Sequence, residues 1–254
     1  MGRITGMEPQ VVDTLLVLNR AFYNEFAAAF SDSRSPSEPG FDRLVTRLRP
    51  GDRILDLGCG QARLARLLPA SCTYTGVDYA EAMLAIGAAS HESPDGDLSL
   101  VTADLVRDDW QRHVTGPFDW IFLRAVLHHI PGYEHRQSVL ARAAEVLAPG
   151  GRLVIANWQF MRIERLRRRV RPWATIGLDE RDVEPGDYLL DWQRQGYGLR
   201  YAHLVDEAET RQLADDAGLH VGELFYADGH TQDLTLYAML TRGAFPADPQ
   251  SSTR

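Results

Sequence analysis

Acidic residues and glycines recur where strands of the sequence are expected to end. The segment RILDLGCG, residues 53–60, begins as an apolar strand, carries Asp56 near its end and then turns through Gly58 and Gly60. Glycines at such a turn let the main chain pass close to a ligand, and the following helix directs free N–H groups toward it. Because a carboxylate beside the loop would repel a phosphate, the pattern predicts a ligand with positive charge or a donor group near Asp56.

Two further carboxylates follow the next two predicted strands. Asp78 ends the strand 73–78, where it can accept hydrogen bonds from a ribose diol, and Asp104 follows the strand 98–102, where it can meet an adenine amino group. Each of them can instead cap a helix or a turn. The carboxyl ends of parallel strands share one edge of a sheet, so the acids are expected to line one crevice.

A dinucleotide-binding loop is the obvious alternative for a glycine-rich turn between a strand and a helix. In this sequence the third position of that pattern is Arg63. A bulky arginine does not suit the close packing of helix on strand that the dinucleotide pattern requires.

The elements that must position these residues alternate along the chain. Strands separated by helical patterns predict parallel βαβ units. We expect strands at 53–57, 73–78, 98–102, 118–123 and 152–157, and helices at 41–48, 61–68, 80–88, 134–147 and 206–217. Two strands joined by a short polar loop within 221–240 predict an antiparallel hairpin at the end.

The flanks of this alternation have a different character. Residues 1–49 are expected to form a helical cap, with an amphipathic pattern from about 8 to 30 and a polar loop at 31–40. Residues 161–200 break the alternation and are interpreted as an insertion on the substrate side. The tail 243–254 is expected to be disordered.

The composition narrows the chemistry. The net charge is −8, and all 27 basic residues are arginine, which excludes a lysine base, a Schiff base and a Walker-type phosphate grip. Two cysteines, Cys59 and Cys72, cannot make a disulfide framework, and no Cys/His spacing predicts a metal site. With no apolar run long enough to span a membrane, the sequence predicts a soluble, cytoplasmic protein without a membrane partner.

Five motifs in order resemble those of the class I S-adenosylmethionine-dependent methyltransferases. They are LDLGCG at 55–60, GVDYAEAML at 76–84, ADL at 103–105, FDWIFLRAVLHHI at 118–130 and LAPGGRLVIA at 147–156. The resemblance implies a Rossmann-like, doubly wound α/β domain over 50–242, whose seven-stranded sheet has an antiparallel last strand and an insertion after strand five. It implies S-adenosylmethionine as cofactor, with contacts from Asp56, Gly58, Cys59, Gly60, Asp78, Tyr79, Asp104, Leu105 and Arg124. One departure is Ala62, where the family often has a third glycine.

Outside this core the chain also resembles the tRNA wobble-uridine carboxymethyl methyltransferases. The matching segments are FSDSR at 30–34, LHHI at 127–130, RYAH at 200–203, and YADG followed by LYAML near the end. The resemblance places near the acceptor the residues Arg34, Arg200, Tyr201 and His203, with His129 at the rim of the crevice. Ala202 departs from the family pattern, which tends to have a second aromatic residue there. Eukaryotic members work with a small zinc-binding activator protein, which this chain is expected not to require.

A carboxylate acceptor fits this set of residues. With a pKa of about 4, a carboxylate is ionised at neutral pH and needs no general base. Arg200 would then orient the anion. A phenol, amine or carbon acceptor would instead be helped by a base, for which His129 or His203 is the candidate. A small-molecule methyltransferase and a non-catalytic module that binds S-adenosylmethionine therefore stay open as alternatives.

Arginines and aromatic residues mark the insertion. The segment MRIERLRRRVR, residues 161–171, contains six arginines, beginning with Arg162. On a helix they would form either a patch that tracks phosphates, as for a tRNA partner, or a solvated face. Trp158 and the aromatic residues that follow it predict either a wall that stacks on a base or a small core of the insertion itself. Tyr23 and Phe30 are candidates for a lid over the cofactor.

Overall fold

The structure is a computed structural model that describes residues 6–33, 38–91 and 98–243. Its helices are α1 Pro9–Glu25, α2 Ala27–Asp32, α3 Pro39–Val45, α4 Glu81–Ala89, α5 Tyr133–Glu145, α6 Glu164–Arg167 and α7 Glu207–Asp216. Its strands are β1 Arg53–Leu57, β2 Thr73–Asp78, β3 Leu98–Thr102, β4 Phe118–Arg124, β5 Leu147–Trp158, β6 Val170–Arg171, β7 Asp187–Trp192, β8 Gly198–His203, β9 His220–Ala227 and β10 Thr235–Thr241. The tail from residue 244 onward, expected to be disordered, lies outside the described residues.

A seven-stranded sheet organises the chain in the order β3-β2-β1-β4-β5-β10-β9. The pairs β1–β2, β1–β4, β2–β3 and β4–β5 are parallel, whereas β10 runs antiparallel to both β5 and β9. The predicted α/β sheet with an antiparallel last strand is confirmed. Because β1 to β5 are parallel, their carboxyl ends meet along one edge.

Apolar side chains cover both faces of this sheet. On one face Leu55 of β1 lies in a core with Leu140 of α5 and Leu213 of α7, while on the other Ile54 lies in a core with Phe41 of α3. Strands buried on both faces are apolar almost throughout, as β1 and β4 are. The rigid sheet therefore fixes the loops at its carboxyl edge. In the described residues, no helix is both long and apolar enough to cross a bilayer.

Two helical predictions need correction. The lead-in helix predicted over 8–30 is divided at Phe26, whose φ of −102° and ψ of 18° end α1 before α2 begins. The helix predicted at 61–68 is a short 3-10 helix over Arg63–Leu67, preceded by Ala62 in the left-handed conformation. The tight glycine turn consumes the residues that would have formed its first turn.

The insertion forms a second, smaller sheet. Strands β6, β7 and β8 pair antiparallel in that order. The prediction of a helix over residues 161–171 is wrong, because α6 has only four residues and Val170–Arg171 then pairs with β7. Residues 201–203, placed after the insertion, belong to β8 of this sheet.

A buried charged network joins the second sheet to α5 and α7. Arg136, 1% exposed, donates to Glu184 at 2.8 Å and to Glu209 at 2.7 Å. The two ring nitrogens of His203 lie 2.6 Å from Asp187 and 2.7 Å from Glu209. Burial opposes the charged imidazole, but the hydrogen bonds with Asp187 and Glu209 prevail and raise the pKa of His203. Each charged group of this network therefore has a partner of opposite charge.

Replacing Arg136 by Met should destabilise the chain strongly. The substitution leaves Glu184 and Glu209 without their common cation in a buried site, and breaking a buried pair in this way costs about 3–5 kcal/mol. Urea unfolding at neutral pH measures the loss. Arg167→Met, which removes an exposed partner of Glu164, is the control and should have a much smaller effect. Equal losses in the two variants would contradict the proposed importance of the buried network.

Candidate functional site

A cavity of about 500 Å³ opens at the carboxyl edge of the large sheet. Its lining comes from the loops after β1, β2, β3 and β4, from α1 and α2, from the second sheet and from the connection between β9 and β10. Predicted site residues that line it are Gly58, Cys59, Gly60, Asp78, Tyr79, Asp104, Leu105, Arg124, His129, Trp158 and Arg200. Sequence-distant segments thus converge on one space.

The glycine loop after β1 forms the floor of this cavity. Gly58 and Gly60 have φ angles of +71° and +54°, and a Cβ atom on Gly58 would lie 2.4 Å from the side chain of Val126. The N–H groups of Gly58 and Cys59 donate to the carbonyl of Val77 at 2.7 and 3.1 Å. Glycine is therefore required at position 58 both by conformation and by space. Burial raises the pKa of the Cys59 thiol well above its usual range, which favours the space-filling interpretation of this residue.

Asp78 and Asp104 both line the cavity and both accept hydrogen bonds from nearby main-chain N–H groups. The carboxylate of Asp78 accepts from Gly60 at 2.7 Å and from Ala80 at 2.8 Å, so it fixes the glycine loop and the start of α4. Burial raises the pKa of Asp78, and these hydrogen bonds oppose the rise. Asp104 accepts from Val106 at 2.9 Å. A carboxylate oxygen has more than one lone pair, so these bonds leave acceptor capacity for a ligand.

Asp56 was expected to line the crevice, but its side chain does not reach the cavity wall. Its side chain is 2% exposed and accepts a hydrogen bond of 2.8 Å from the hydroxyl of Tyr74. Burial raises its pKa from 3.8 to about 6, against the opposing influence of Arg124. The structure therefore places Asp56 in the layer below the loop.

Arg200 also lines the cavity, inside a cage of aromatic rings. Its guanidinium carbon lies 4.8 Å from the ring centre of Trp158, 5.4 Å from that of Phe22, 5.7 Å from that of Trp192 and 5.9 Å from that of Phe30. The residue is 8% exposed, and its buried Nε has no hydrogen-bond partner among the described residues. Aromatic faces stabilise a cation only in part. A buried guanidinium with this surrounding is suited to an anionic group of a ligand.

His129 and Tyr23 form a hydrogen-bonded pair beside this cage. The hydroxyl of Tyr23 lies 2.7 Å from Nε2 of His129, and Nδ1 lies 3.0 Å from the carbonyl of Tyr201. Because a carbonyl only accepts, Nδ1 carries the proton and Nε2 of the neutral ring accepts from Tyr23. Tyr23 is therefore held against His129 as part of the cavity wall.

Several residues predicted from the sequence lie elsewhere. His203 belongs to the buried charged network, and the hydroxyl of Tyr201 donates to Asp187 of the same network at 2.7 Å. Arg162 is exposed, donates to the hydroxyl of Tyr226 at 2.8 Å and is absent from the described cavity wall. Arg34 lies outside the described residues.

Other cavity residues were missed by the sequence argument. Glu38 accepts from Arg124 at 2.7 Å and pairs with Arg63 at 3.5 Å. Asp228 accepts from the hydroxyl of Tyr237 at 2.7 Å and from the main-chain N–H of Gly40. No local pattern marks Glu38, whereas Asp228 lies in the YADG segment that carries part of the resemblance. Arg165, Arg169 and Arg194 also line the cavity, and for the first two the arginine-rich segment was the available signal.

Comparison with known proteins found a matching domain model and similar proteins. A family model described as a methyltransferase domain matches residues 55–153. A putative methyltransferase of Encephalitozoon cuniculi is 26% identical over 87% of this chain and 93% of its own length. A tRNA (carboxymethyluridine(34)-5-O)-methyltransferase of Arabidopsis thaliana is 28% identical over 54% of this chain, and the match spans 31% of the plant protein.

Solved structures share the fold. An S-adenosylmethionine-dependent methyltransferase from Clostridium acetobutylicum has a TM-score of 0.64 at 14% identity, covering 88% of this chain and 100% of that protein. Identity at this level supports the fold alone.

The raised pKa of Asp56 predicts a measurable pH dependence of stability. The folded carboxyl binds its proton more tightly than the unfolded one, so its favourable contribution is present below pH 3.8 and is lost as pH rises through about 6. A shift of this size corresponds to roughly 3 kcal/mol in the free energy of unfolding. Asp56→Asn keeps an acceptor for Tyr74 and should flatten the fall in stability between about pH 4 and 7. Denaturant unfolding across this range checks it, with exposed Asp42→Asn as control; parallel curves for wild type and Asp56→Asn would refute the assignment.

The chemistry of the cavity fits the cofactor of the matched fold. Position 58 in the glycine loop has no room for a side chain, because a Cβ atom there would contact Val126. The carboxylate oxygens of Asp78 lie on the cavity wall, where they can accept hydrogen bonds from a ribose diol. The cofactor of this class is S-adenosylmethionine, which carries both a nucleoside and a sulfonium cation. Residues 55–153 thus match a methyltransferase domain, and the chain has the fold of the S-adenosylmethionine-dependent methyltransferases.

Proposed function

We propose that this enzyme methylates a carboxylate, and that the carboxylate belongs to a modified uridine at the wobble position of tRNA. The observation that carries the proposal is Arg200, a buried cation on the cavity wall whose Nε has no hydrogen-bond partner among the described residues. A guanidinium is suited to a planar anion because it donates parallel hydrogen bonds to both carboxylate oxygens. The name of the Arabidopsis relative, which includes carboxymethyluridine, supports the finer assignment.

The glycine loop and the neighbouring strand ends are proposed to hold the cofactor. We place the ribose hydroxyls at Asp78, the adenine amino group at Asp104 and the adenosine above Gly58, Cys59 and Gly60. Tyr79 and Leu105 follow these acids in the sequence and line the same cavity. Arg124 also lines it and forms an ion pair with Glu38. In this arrangement Asp56 supports the loop from below and makes no direct contact with the cofactor.

The proposed reaction requires positioning more than proton transfer. S-adenosylmethionine supplies the methyl group: a carboxylate oxygen forms the new C–O bond as the C–S bond breaks, and the electron pair of that bond stays on sulfur. No proton moves, because the acceptor is already ionised at neutral pH. Arg200 holds the anion in line, and Phe22, Trp158 and Trp192 exclude water from the same space. Positioning of this kind contributes as much as about 7–11 kcal/mol in favourable cases.

A hydroxyl acceptor is the second candidate. The Tyr23–His129 pair, with its 2.7 Å hydrogen bond beside Arg200, would provide a proton acceptor for a phenol or alcohol of a small molecule. The pH profile separates the candidates. A carboxylate acceptor predicts a rate independent of pH above about 6, whereas a rate that rises with pH and is lost in Tyr23→Phe favours the hydroxyl acceptor.

Nucleoside analysis tests the proposal directly. Mass spectrometry of tRNA nucleosides from cells with and without the gene should detect a methyl ester of the carboxymethylated uridine only when the gene is present. The purified chain, expressed without any partner, should form the same ester from the carboxymethyl nucleoside. Identical nucleoside profiles with no activity in vitro would reject the tRNA substrate, and turnover of a metabolite extract would then favour a small-molecule acceptor. Tight cofactor binding with no turnover would indicate a non-catalytic module.

Substituting Arg200 should affect the acceptor and spare the cofactor. A hydrogen bond to a charged group contributes about 1.5–3 kcal/mol, so Arg200→Met should raise KM for the carboxylate acceptor by roughly 10- to 100-fold. Arg200→Lys retains the charge and loses the fork, and should give an intermediate KM. The dissociation constant of S-adenosylmethionine, measured by calorimetry, should stay constant, as it should in the control Arg167→Met. An unchanged KM in Arg200→Met would exclude the proposed contact.

Substituting Asp78 should have the converse effect. Asp78→Asn keeps one oxygen for the main-chain N–H groups but removes the charge that would strengthen hydrogen bonds from the ribose. Affinity for S-adenosylmethionine should fall by about tenfold or more, the equivalent of one charge-assisted hydrogen bond. Isothermal titration calorimetry measures the change, and Asp109→Asn, an exposed acid outside the described cavity wall, serves as control. Equal affinities for Asp78→Asn and wild type would rule out this ribose contact.

A further inference from the structure

The arginines around the second sheet fall into two groups. The first group is paired. Arg167 and Arg168 both bind Glu164, with Nε of Arg168 3.0 Å from its carboxylate, and Arg171 binds Asp191. Each of these side chains therefore has an acidic partner within the chain.

The second group consists of Arg165, Arg169 and Arg194, which we call the rim arginines. All three line the cavity that Arg200 also lines, and Arg165 and Arg194 are exposed to solvent. None of the described residues forms an ion pair with their guanidinium groups or accepts a hydrogen bond from them. On a chain with a net charge of −8, uncompensated cations thus converge on the entrance of one cavity.

Main-chain contacts hold the two segments that carry the rim arginines side by side. The carbonyl of Arg169, just before β6, accepts a hydrogen bond of 2.9 Å from the N–H of Asp191 in β7. The indole N–H of Trp192, which ends β7, donates to the carbonyl of Arg194 at 2.7 Å. Trp192 also belongs to the cage around Arg200. The rim and the cage are therefore parts of one continuous wall.

We propose that the rim arginines form a phosphate subsite, which binds the phosphodiester groups next to the nucleotide whose carboxylate Arg200 holds. This inference rests on the proposed function, because it takes the acceptor to be a nucleotide within RNA. Guanidinium groups suit phosphate oxygens through their planar arrangement of donors. The subsite explains how an acidic protein binds a polyanion: contact is confined to the rim arginines, and Arg167 and Arg168, which are paired with Glu164, are not part of it.

Paired comparison of two acceptors tests the subsite. The first acceptor is the nucleoside 5-carboxymethyluridine, and the second is a short stem–loop RNA that carries the same nucleoside in its loop. The variants are Arg165→Gln, Arg169→Gln, Arg194→Gln and the triple variant. The controls are Arg167→Gln and Arg168→Gln, which alter the same segment at arginines paired with Glu164.

We expect kcat/KM for the stem–loop to fall by about threefold for each rim substitution, the scale of an exposed ion pair. For the nucleoside, kcat/KM should be unchanged, since it has no phosphate. The control variants should match wild type on both acceptors. Equal losses on the nucleoside and the stem–loop, or equal losses in controls and rim variants, would overturn the subsite.

A binding measurement separates failure of the subsite from failure of the proposed function. Fluorescence anisotropy with a labelled stem–loop RNA that lacks the carboxymethyl group needs no methyl transfer. The slope of log K against log salt concentration should decrease in magnitude by about one for each rim arginine removed. If no carboxylate is methylated but the slope falls only in the rim variants, the carboxylate assignment fails and the subsite stands. A slope that is the same in the triple variant and wild type, or no RNA binding at all, would refute the subsite.

Discussion

A single buried amide joins the three elements that surround the acceptor half of the cavity. The Nδ2 group of Asn19 in α1 donates to the carbonyls of His129 and Tyr201, each at 3.2 Å, and its Oδ1 accepts from the N–H of Tyr201 at 2.8 Å. The N-terminal helix, the loop after β4 and strand β8 are thereby fixed to one another. Because Arg200 precedes Tyr201 in β8, the same contacts fix the depth of its guanidinium. An unpaired amide would be costly in this buried place, so the three elements must pack together.

The acids and several of the arginines that line the cavity come from different parts of the fold. Asp78 and Asp104 stand at the strand ends of the large sheet, whereas Arg200 and the rim arginines come from the second sheet and its connections. Strand ends of a parallel sheet always gather at one edge, which explains the position of the acids. The arginines have no such requirement, and their position depends on the pairing of β6, β7 and β8. The geometry of the large sheet thus places these acids, and the second sheet with its connections places these arginines.

This division explains how much could be predicted from the sequence. Short-range alternation of strands and helices is sufficient to predict the large sheet, and with it the placement of Asp78 and Asp104. The second sheet joins residues 170–171 to 189–190 through a long connection, so a helical pattern in the arginine-rich segment was misleading. Side-chain direction was the other difficulty: Asp56 alternates with Leu55 and Leu57 and so points to the face that carries Tyr74. Arg200 and His203 lie three residues apart in β8, so their side chains point to opposite faces of the second sheet. The sequence did not separate them, because this segment was not predicted as a strand.

The opposite charges of the proposed cofactor and acceptor have a consequence for the proposed reaction. A sulfonium cation and a carboxylate anion combine there to give two neutral products, so charge decreases along the reaction path. Water stabilises the separated ions more than the charge-dispersed transition state, and Phe30, Trp158 and Trp192, which line the cavity, place aromatic rings where that water would stand. Arg200 must then orient the anion without neutralising the attacking oxygen, and the cation–π contacts that share its charge with the cage favour this balance. After transfer, the neutral ester no longer forms an ion pair with Arg200, so the residue that selects the substrate binds the product more weakly and promotes its release.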